Sequence, residues 1–343
     1  MTVSDSPQYR TLLDSLARSE SGQLLREELR RRWPETTDEL ASMARFALVP
    51  AGKLLRPLMA LHTAQAVGGD PLRVTAAVLA LEYVHTATLV HDDIIDGDAL
   101  RRGRPSVHSA FGIPNAIVTG DDLIFSAFES LVDEPWAASP ARVVAAVGEL
   151  AEVGRDLCRG QVLESRLVGD PEEGARWYEE MVRLKTGALF RAACYIGATL
   201  GGADADTGTM LASYGENVGI AFQIRDDLLA FVATPEQTGK PGDSDLLNGR
   251  PTLPVLLAYE AADEADRRQL RDVLGRRADQ EDDVRWVRDL VTASGAVQSA
   301  HRRMASHVEL ALAGLAGLPP SPHATALADI ARWTTSAPPD GRG

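Results

Sequence analysis

The sequence predicts an all-α protein made of one domain with roughly a dozen helices. Hydrophobic residues make up 45% of the 343-residue chain but aromatic residues only 5%, so its core must consist mainly of Ala, Leu and Val. That composition suits packed helices better than an aromatic-rich β-sandwich. Three long stretches lack proline, at 72–104, 141–170 and 172–234. No repeat of roughly 20–50 residues and no strand–turn–strand pattern is found.

Helix starts and breaks place the elements along the chain. Asp70 followed by Pro71 is typical of an N-cap and the first position of a helix. Within 140–170, steps of three and four residues predict one face of a long helix, formed by Val143, Val147, Leu150, Gly154, Leu157 and Gln161. Glycine and proline clusters predict breaks near 68–69, 103–105, 133–140, 169–171, 201–204 and 235–251. We expect the domain to span 1–335 and the tail, 336–343, to be disordered.

Charge and cysteine content exclude several classes of protein. The chain has 49 acidic and 35 basic residues and a net charge of -14, which argues against a nucleic-acid-binding protein because such proteins need a basic face. No long uncharged apolar run and no signal-peptide pattern occurs, so we expect a soluble cytoplasmic protein without a membrane anchor. Cys158 and Cys194 lie in separate helical segments, and we expect both to be small core residues rather than disulfide or zinc ligands.

The first cluster of candidate site residues lies at the end of a predicted helix, in the sequence HDDIID at 91–96. One face of that helix is apolar at its start and anionic at its end, through Val74, Val78, Leu81, His85, Thr88, Asp92 and Asp96. Asp92 and Asp96 are one turn apart, with Cβ atoms roughly 5–6 Å from each other. Both can therefore reach one Mg²⁺ ion, which typically takes one or two carboxylates plus substrate phosphates. Taken alone, the cluster would more often be an acidic helix end exposed to water.

A second acidic pair makes the metal interpretation stronger. Asp226 and Asp227 occur in another proline-free segment, and Gln223 precedes them on the same helix face. Two acidic helix ends that face each other across a bundle could hold a cluster of Mg²⁺ ions around a diphosphate. Such a cluster stabilises the charge that develops when an allylic carbon–oxygen bond ionises.

Cations suited to phosphate are also present. The chain has only three lysines, Lys53, Lys185 and Lys240, although it has 35 basic residues. A chain that uses Arg for most positive charges keeps Lys where a compact ammonium is needed. The remaining candidates are a single arginine, an arginine cluster and a threonine: Arg56 in the sequence GKLLRP, Arg101, Arg102 and Arg104 in RRGRP, and Thr186 after Lys185. Each alone would be a surface cation, but together they predict a site for phosphorylated substrates.

These motifs resemble the trans-isoprenyl diphosphate (polyprenyl) synthase family over roughly residues 40–260, in particular its geranylgeranyl and longer-chain members. The resemblance implies an isoprenoid synthase fold with a central substrate cavity, and a homodimer. It implies substrates that are isopentenyl diphosphate and an allylic diphosphate, and Mg²⁺ as cofactor, three ions when substrate is bound. No protein nucleophile is implied.

The family pattern also implies a role for each matching residue. The residues that would bind isopentenyl diphosphate are Lys53, Arg56, His85 and Arg102. Those near the allylic diphosphate and the nascent cation are Arg101, Lys185, Thr186, Gln223 and Lys240. The metal ligands would be Asp92, Asp96 and Asp226, with Asp93, Asp227, Gln161 and Glu164 in secondary positions.

The sequence departs from the family pattern at two positions. Ala230 stands where the second aspartate motif usually ends in a third Asp, which we expect to weaken metal binding on that side without abolishing it. Glu164 stands where many members carry Asp. Both changes concern residues near the implied metal site.

Product length in this family resembles a problem of tunnel depth below Asp92. At about 1.5 Å rise per residue, the first positions on the way down are the small residues Thr88 and Ala87, followed by Val84. The next candidates for a floor are Phe125 and Phe128, which could equally be ordinary core residues. We therefore expect a product of C20 or longer.

Two alternatives from other classes remain open. A class I terpene cyclase shares one DDxxD motif, but it normally carries a second metal motif that we do not find near Asp226. It would also have no use for Lys53, Arg56 and His85. The other alternative is a weakly active partner subunit of a heteromeric synthase, which the alanine at position 230 favours and the complete first motif disfavours.

Overall fold

The computed structural model describes residues 9–132, 139–232, 244–276 and 281–336. Nearly all of them are helical, as the sequence predicts. In chain order the α-helices are α1 (Tyr9–Arg18), α2 (Glu20–Arg32), α3 (Glu39–Leu48), α4 (Leu55–Ala66), α5 (Pro71–Val78), α6 (Ala80–Asp96), α7 (Val107–Phe111), α8 (Ile113–Val132), α9 (Pro140–Leu167), α10 (Pro171–Val182), α11 (Ala188–Gly201), α12 (Ala205–Val232), α13 (Ser244–Leu247), α14 (Leu253–Ala261), α15 (Glu264–Gly275), α16 (Glu281–Ala293), α17 (Ala296–Gly314) and α18 (Pro322–Thr335). These α-helices are more numerous than the dozen or so that the sequence predicts, because short helices such as α7 and α13 carry little periodic signal.

The ends of the helices follow the local sequence. The Asp70 side chain accepts a hydrogen bond from the backbone N–H of Leu72 and caps α5, as predicted. Asp170 caps α10 in the same way, ahead of a proline at the first helical position. Gly97 ends α6 with φ of 70° and Gly202 ends α11 with φ of 109°, a conformation that glycine adopts without strain.

The proline-free stretches contain the helices that matter most. Stretch 72–104 forms α5 and α6, stretch 141–170 forms α9, and stretch 172–234 forms α10, α11 and α12. A π-helical segment, Arg183–Gly187, joins α10 to α11. The helix α11 packs against α12, α4 and α9, and α6 packs along α8. The core between them consists mainly of Leu, Ala and Val side chains, which confirms the expectation from composition.

Three expectations need correction or fall outside the description. A small hairpin, β1 (Leu100–Arg101) and β2 (Arg104–Pro105), pairs antiparallel within the predicted break at 103–105, although no strand pattern is visible in the sequence. Cys194 is buried as expected, but Cys158 is exposed on α9 and is no core residue. Of the tail, residues 337–343 lie outside the described residues.

One helical stretch in the described part of the chain, Pro71–Asp96, is long and apolar enough by composition to cross a membrane. Most of it is buried inside the protein, 72% of its most apolar window. It includes α6, which carries the first aspartate cluster. We interpret it as a core helix.

The contact between α4 and α11 depends on a glycine. A Cβ atom at Gly197 would lie 2.2 Å from the backbone oxygen of Ala60, closer than two such atoms can approach. On α9, by contrast, a Cβ atom at Gly148 would have no heavy atom within 4 Å. The two positions therefore separate the effect of packing from the effect of helix propensity.

We predict that Gly197→Ala forces α4 and α11 apart and lowers the free energy of unfolding by about 1–3 kcal/mol. The control, Gly148→Ala, should raise it by about 0.5–1 kcal/mol because alanine loses less backbone entropy in a helix. Urea unfolding followed by circular dichroism measures both. Equal effects of the two substitutions would contradict the close contact.

Candidate active site

The first aspartate cluster lies at the end of α6, as predicted, and its two outward carboxylates face cations of the same chain. The Lys185 Nζ lies 3.8 Å from Asp92 Oδ2, and the Arg250 guanidinium forms an ion pair with Asp96. Burial raises the pKa of Asp92, while the nearby charge of Lys185 lowers it. In this state the positions expected for a divalent cation are thus balanced by protein charges.

Asp93 has a different environment from its two neighbours. Its side chain is buried, with 3% of its surface exposed, and it pairs with Arg101 from the hairpin. The next hairpin strand carries Arg104, which donates to the Val49 oxygen at 3.2 Å and lies 4.6 Å from the ring centroid of Phe46. The middle aspartate of the motif therefore anchors the hairpin to α6.

The same hairpin reaches the loop before α4. A Cβ atom at Gly52 would lie 2.5 Å from the Arg102 guanidinium, so a side chain at this position would displace that flexible group. From the other side, Arg26 donates to the Gly52 oxygen at 3.0 Å. Arg26 thus holds the backbone next to Lys53, and the Arg102 guanidinium lies against the same glycine.

A buried glutamate that the sequence analysis missed balances these arginines. Glu82 is 4% exposed on α6. Burial raises its pKa, and the charges of Arg102, Arg56 and Arg26 lower it in turn. Only its place in α6 between the apolar residues Leu81 and Tyr83 could have indicated an internal charge partner.

Arg56 and His85 lie together near this group with different charge states. Burial lowers the pKa of Arg56 to about 10, so it remains a cation, and its guanidinium lies 4.5 Å from the Phe190 ring centroid. Burial, followed by the charges of Arg56 and Arg102, lowers the pKa of His85 well below its ordinary value. His85 is therefore a neutral imidazole, which donates a hydrogen bond from one ring nitrogen and accepts one at the other.

The second aspartate pair lies on α12, where Asp227 is surrounded by hydrogen-bond donors. Its Oδ2 accepts from the Tyr178 hydroxyl at 2.6 Å and from the Leu253 N–H at 2.9 Å. Its Oδ1 accepts from Gln223 Nε2 at 3.0 Å. Burial raises the pKa of Asp227 to about 6, while these donors lower it.

Asp226, unlike the buried Asp227, is only half-buried. Burial, followed by the charge of Asp227, raises its pKa to about 7, whereas Arg225 and Lys53 lower it. A carboxylate in such an environment fits a site that receives a further cation, since the cation would favour its charged form. Ala230, one turn further along α12, is also half-buried.

Lys185 and Thr186 lie in the π-helical segment, a feature found frequently at functional sites. Gly160 lets the helix α9 come close to this segment, since a Cβ atom there would lie only 2.7 Å from the backbone nitrogen of Lys185. Lys185 Nζ lies 2.5 Å from Glu164 Oε2, and Thr186 donates to Gln223 Oε1 at 2.9 Å. The neighbouring Gln161 has a buried Oε1 without a hydrogen-bond partner in the described structure.

These side chains surround an open space between the helices. One cavity of about 200 Å³ is lined by Glu164, Lys185, Thr186, Gln223, Asp227 and Arg250, among others. An adjoining one of about 230 Å³ is lined by Asp96, Gln161, Glu164 and Arg250, among others. Arg250 borders both cavities, and its role could not be predicted from the sequence because it lies within the predicted break at 235–251. Lys240 lies outside the described residues.

The acidic residues fit Mg²⁺ only in combination with a ligand. Among the described residues no three acidic, histidine or cysteine side chains come close enough to hold a metal ion by themselves. Mg²⁺ commonly binds through one or two carboxylates and completes its shell with water and phosphate oxygens. Asp92, Asp96 and Asp226 can supply those carboxylates.

The residues expected to set product length divide into two groups. Ala87 and Val84 are buried on α6, and Thr88 is half-buried beside them. Phe128 is partly buried against the main core. Phe125 is 72% exposed on the outer face of α8, so it cannot close a tunnel inside this chain, and its expected role as a floor is wrong. Helical periodicity alone does not show which apolar face meets the core.

A helical bundle that places aspartates of both clusters and several cations around two adjoining cavities is typical of the prenyltransferase class of enzymes. The chain belongs to the polyprenyl synthetase family, whose model matches residues 37–291. The family and the fold expected from the sequence are both confirmed.

Known relatives support this assignment at useful levels of identity. Geranylfarnesyl diphosphate synthase of Aeropyrum pernix is 39% identical over 279 residues, which cover 80% of this chain and 86% of that protein. The crystal structure of geranylgeranyl pyrophosphate synthetase from Pyrococcus horikoshii Ot3 matches with a TM-score of 0.88 and 33% identity, covering 96% of this chain and 99% of the other. A polyprenyl synthase from Caulobacter crescentus CB15, complexed with calcium and isoprenyl diphosphate, has a TM-score of 0.85 and 31% identity, covering 95% and 98%.

We predict that Asp93→Ala lowers the free energy of unfolding by about 3 kcal/mol, since it leaves the Arg101 charge without its buried partner. The control is Asp98→Ala. Asp98 lies 3.9 Å from the same guanidinium but is half exposed, so its loss should cost less than about 1 kcal/mol. Urea unfolding measures both. A loss at Asp93 no larger than the loss at Asp98 would contradict an anchoring role.

Proposed function

We propose that the enzyme condenses isopentenyl diphosphate with an allylic diphosphate to an all-trans polyprenyl diphosphate of C20 or longer. The observation that carries this proposal is the pair of adjoining cavities, one lined by Lys185, Thr186, Gln223 and Asp227 and the other by Asp96 of the first cluster. The names of the similar proteins, geranylfarnesyl diphosphate synthase and geranylgeranyl pyrophosphate synthetase, support a product of that length.

Isopentenyl diphosphate would bind at the loop before α4. Lys53, Arg56 and Arg102 supply positive charge, and the neutral His85 adds a hydrogen bond. Arg26 and Glu82 would act behind them, because Arg26 holds the loop backbone and Glu82 balances the arginines in the absence of substrate. A cluster of partly exposed cations around one buried carboxylate is prepared to accept a diphosphate.

The allylic diphosphate would bind between the two aspartate pairs, near Arg101, Lys185 and Lys240. We infer that Mg²⁺ ions, three with substrate bound, are held by Asp92, Asp96 and Asp226, with Asp93, Asp227, Gln161 and Glu164 behind these ligands. When bound, the ions would stabilise the negative charge of the departing diphosphate. Without substrate, Lys185 and Arg250 neutralise Asp92 and Asp96. The side chains of Lys185 and Arg250 would turn toward the diphosphate when it enters.

The groups next to the reacting carbon are oxygen dipoles rather than nucleophiles. Thr186 and Gln223 present hydroxyl and amide oxygens to the nascent allylic cation, while Lys185 favours the leaving diphosphate by charge. The isopentenyl double bond then attacks that cation. The proton that is lost goes to the released diphosphate, so no basic side chain of the protein is required.

We further propose a cytoplasmic homodimer that covers the outer face of α8. Val118, Phe125 and Val132 recur there at seven-residue steps and are 51%, 72% and 59% exposed, which places them on one face of the helix. An exposed apolar stripe of this kind fits an interface. A second copy of the chain would remove Phe125 from water.

The direct test uses purified protein, Mg²⁺ and labelled isopentenyl diphosphate with C5, C10, C15 and C20 allylic primers. We expect products of C20 or longer after dephosphorylation and chromatography. Lys185→Gln should reduce incorporation strongly with every primer. If isopentenyl diphosphate is incorporated with none of the primers, the proposal is contradicted. The partner-subunit alternative is then favoured, in which the missing carboxylate at Ala230 abolishes activity. Conversion of primer without consumption of isopentenyl diphosphate would indicate a terpene cyclase.

We predict that Ala87→Phe shortens the main product by at least one C5 unit. A ring at this buried position of α6 would fill the space that the growing chain enters about one turn below Asp92. Thr88→Ala, which removes bulk from the adjacent position, should not shorten the product. Product chromatography compares the two, and an unchanged profile of Ala87→Phe would exclude a tunnel along this face.

A further inference from the structure

Tyr178 lies on α10, in none of the motifs that the sequence displays, and yet it contacts the second aspartate pair. Its side chain is 3% exposed, and its hydroxyl donates to Asp227 Oδ2 at 2.6 Å. We propose that Tyr178 is a positioning residue for prenyl transfer, an inference that rests on the proposed function. The tyrosine acts through Asp227 to fix the orientation of the Gln223 amide and, with it, the Thr186 hydroxyl.

The direction of each hydrogen bond follows from the chemistry of the groups. A carboxylate can only accept, so the Gln223 amide must turn its nitrogen toward Asp227, at 3.0 Å. Its oxygen then points the other way and accepts from Thr186 at 2.9 Å. Thr186 gives its only hydroxyl hydrogen to this bond. The lone pairs of its oxygen are therefore what it can offer to the cavity.

Asp227 is committed to this arrangement by its other bonds. It is 5% exposed, and donors from three elements, α10, α12 and the start of α14, occupy three of its roughly four acceptor positions. A carboxylate held in this way has little left for a metal ion. We infer that Asp227 orients Gln223 and that Asp226 alone carries the metal role of the pair.

The hydroxyl of Tyr178 is the part of the arrangement that can be removed with least disturbance. Without it, Asp227 keeps the bonds from Gln223 and Leu253 but loses the shortest of its three contacts. The carboxylate can then rotate, and the Gln223 amide is no longer confined to one orientation. The ring itself, which is packed in the core, stays in place in a phenylalanine variant.

The first experiment measures kcat, both KM values and the melting temperature of Tyr178→Phe. We expect kcat to fall roughly tenfold, as is typical when a group that orients a site residue is removed, while both KM values change less than about twofold. The matched control is Tyr214→Phe. Tyr214 is another buried tyrosine, and its hydroxyl donates to the Leu327 oxygen at 2.7 Å, away from the cavity. Tyr214→Phe should lower the melting temperature and leave kcat unchanged.

The second experiment is a double-mutant cycle of Tyr178→Phe with Gln223→Leu. If Tyr178 acts by orienting the Gln223 amide, its loss has no further effect on kcat once that amide is absent. An equal loss of kcat in both backgrounds, or an unchanged kcat in Tyr178→Phe alone, would overturn the inference while leaving prenyl transfer intact. Wild-type protein without prenyl transfer would overturn the proposed function and the inference with it.

Discussion

The structure around the cavity depends on neutralising carboxylates that helix packing has removed from water. Isolated buried charges are costly, and each of these groups has a specific partner. Asp93 is paired with Arg101, and Glu82 lies among three arginines. Asp227 accepts three hydrogen bonds, and Asp92 lies close to Lys185. The cations of the site are therefore part of the fold before they act on a substrate.

This arrangement links parts of the chain that are distant in sequence. The hairpin is fixed to α6 by Arg101, and the guanidinium of Arg102 lies against Gly52 in the loop before α4. On the other side of the cavity, α10, α12 and α14 meet at Asp227. Packing glycines such as Gly160 and Gly197 bring the helices close enough for these contacts. Stability and chemistry here rest on the same side chains.

Much of this could be predicted from the sequence, and the remainder has a common physical reason. Proline-free stretches and one-turn spacing placed α6, α9 and α12 and the aspartates on them, because those signals are local. Arg26, Glu82, Tyr178 and Arg250 were missed because their roles arise from contacts across the bundle. Phe125 was misplaced because periodicity identifies an apolar face without showing what covers it. The π-helical segment under Lys185 likewise has no local signature.

We infer that protein cations neutralise the aspartates until a diphosphate brings Mg²⁺ with it. Isothermal titration calorimetry of Mg²⁺ into the full-length protein, with and without inorganic pyrophosphate, tests it most directly. We expect weak Mg²⁺ binding to the protein alone and tight binding of several ions when pyrophosphate is present, after subtraction of the binding of Mg²⁺ to pyrophosphate in buffer. Equally tight Mg²⁺ binding without pyrophosphate would contradict the account, since it would mean that the carboxylates form a metal site by themselves.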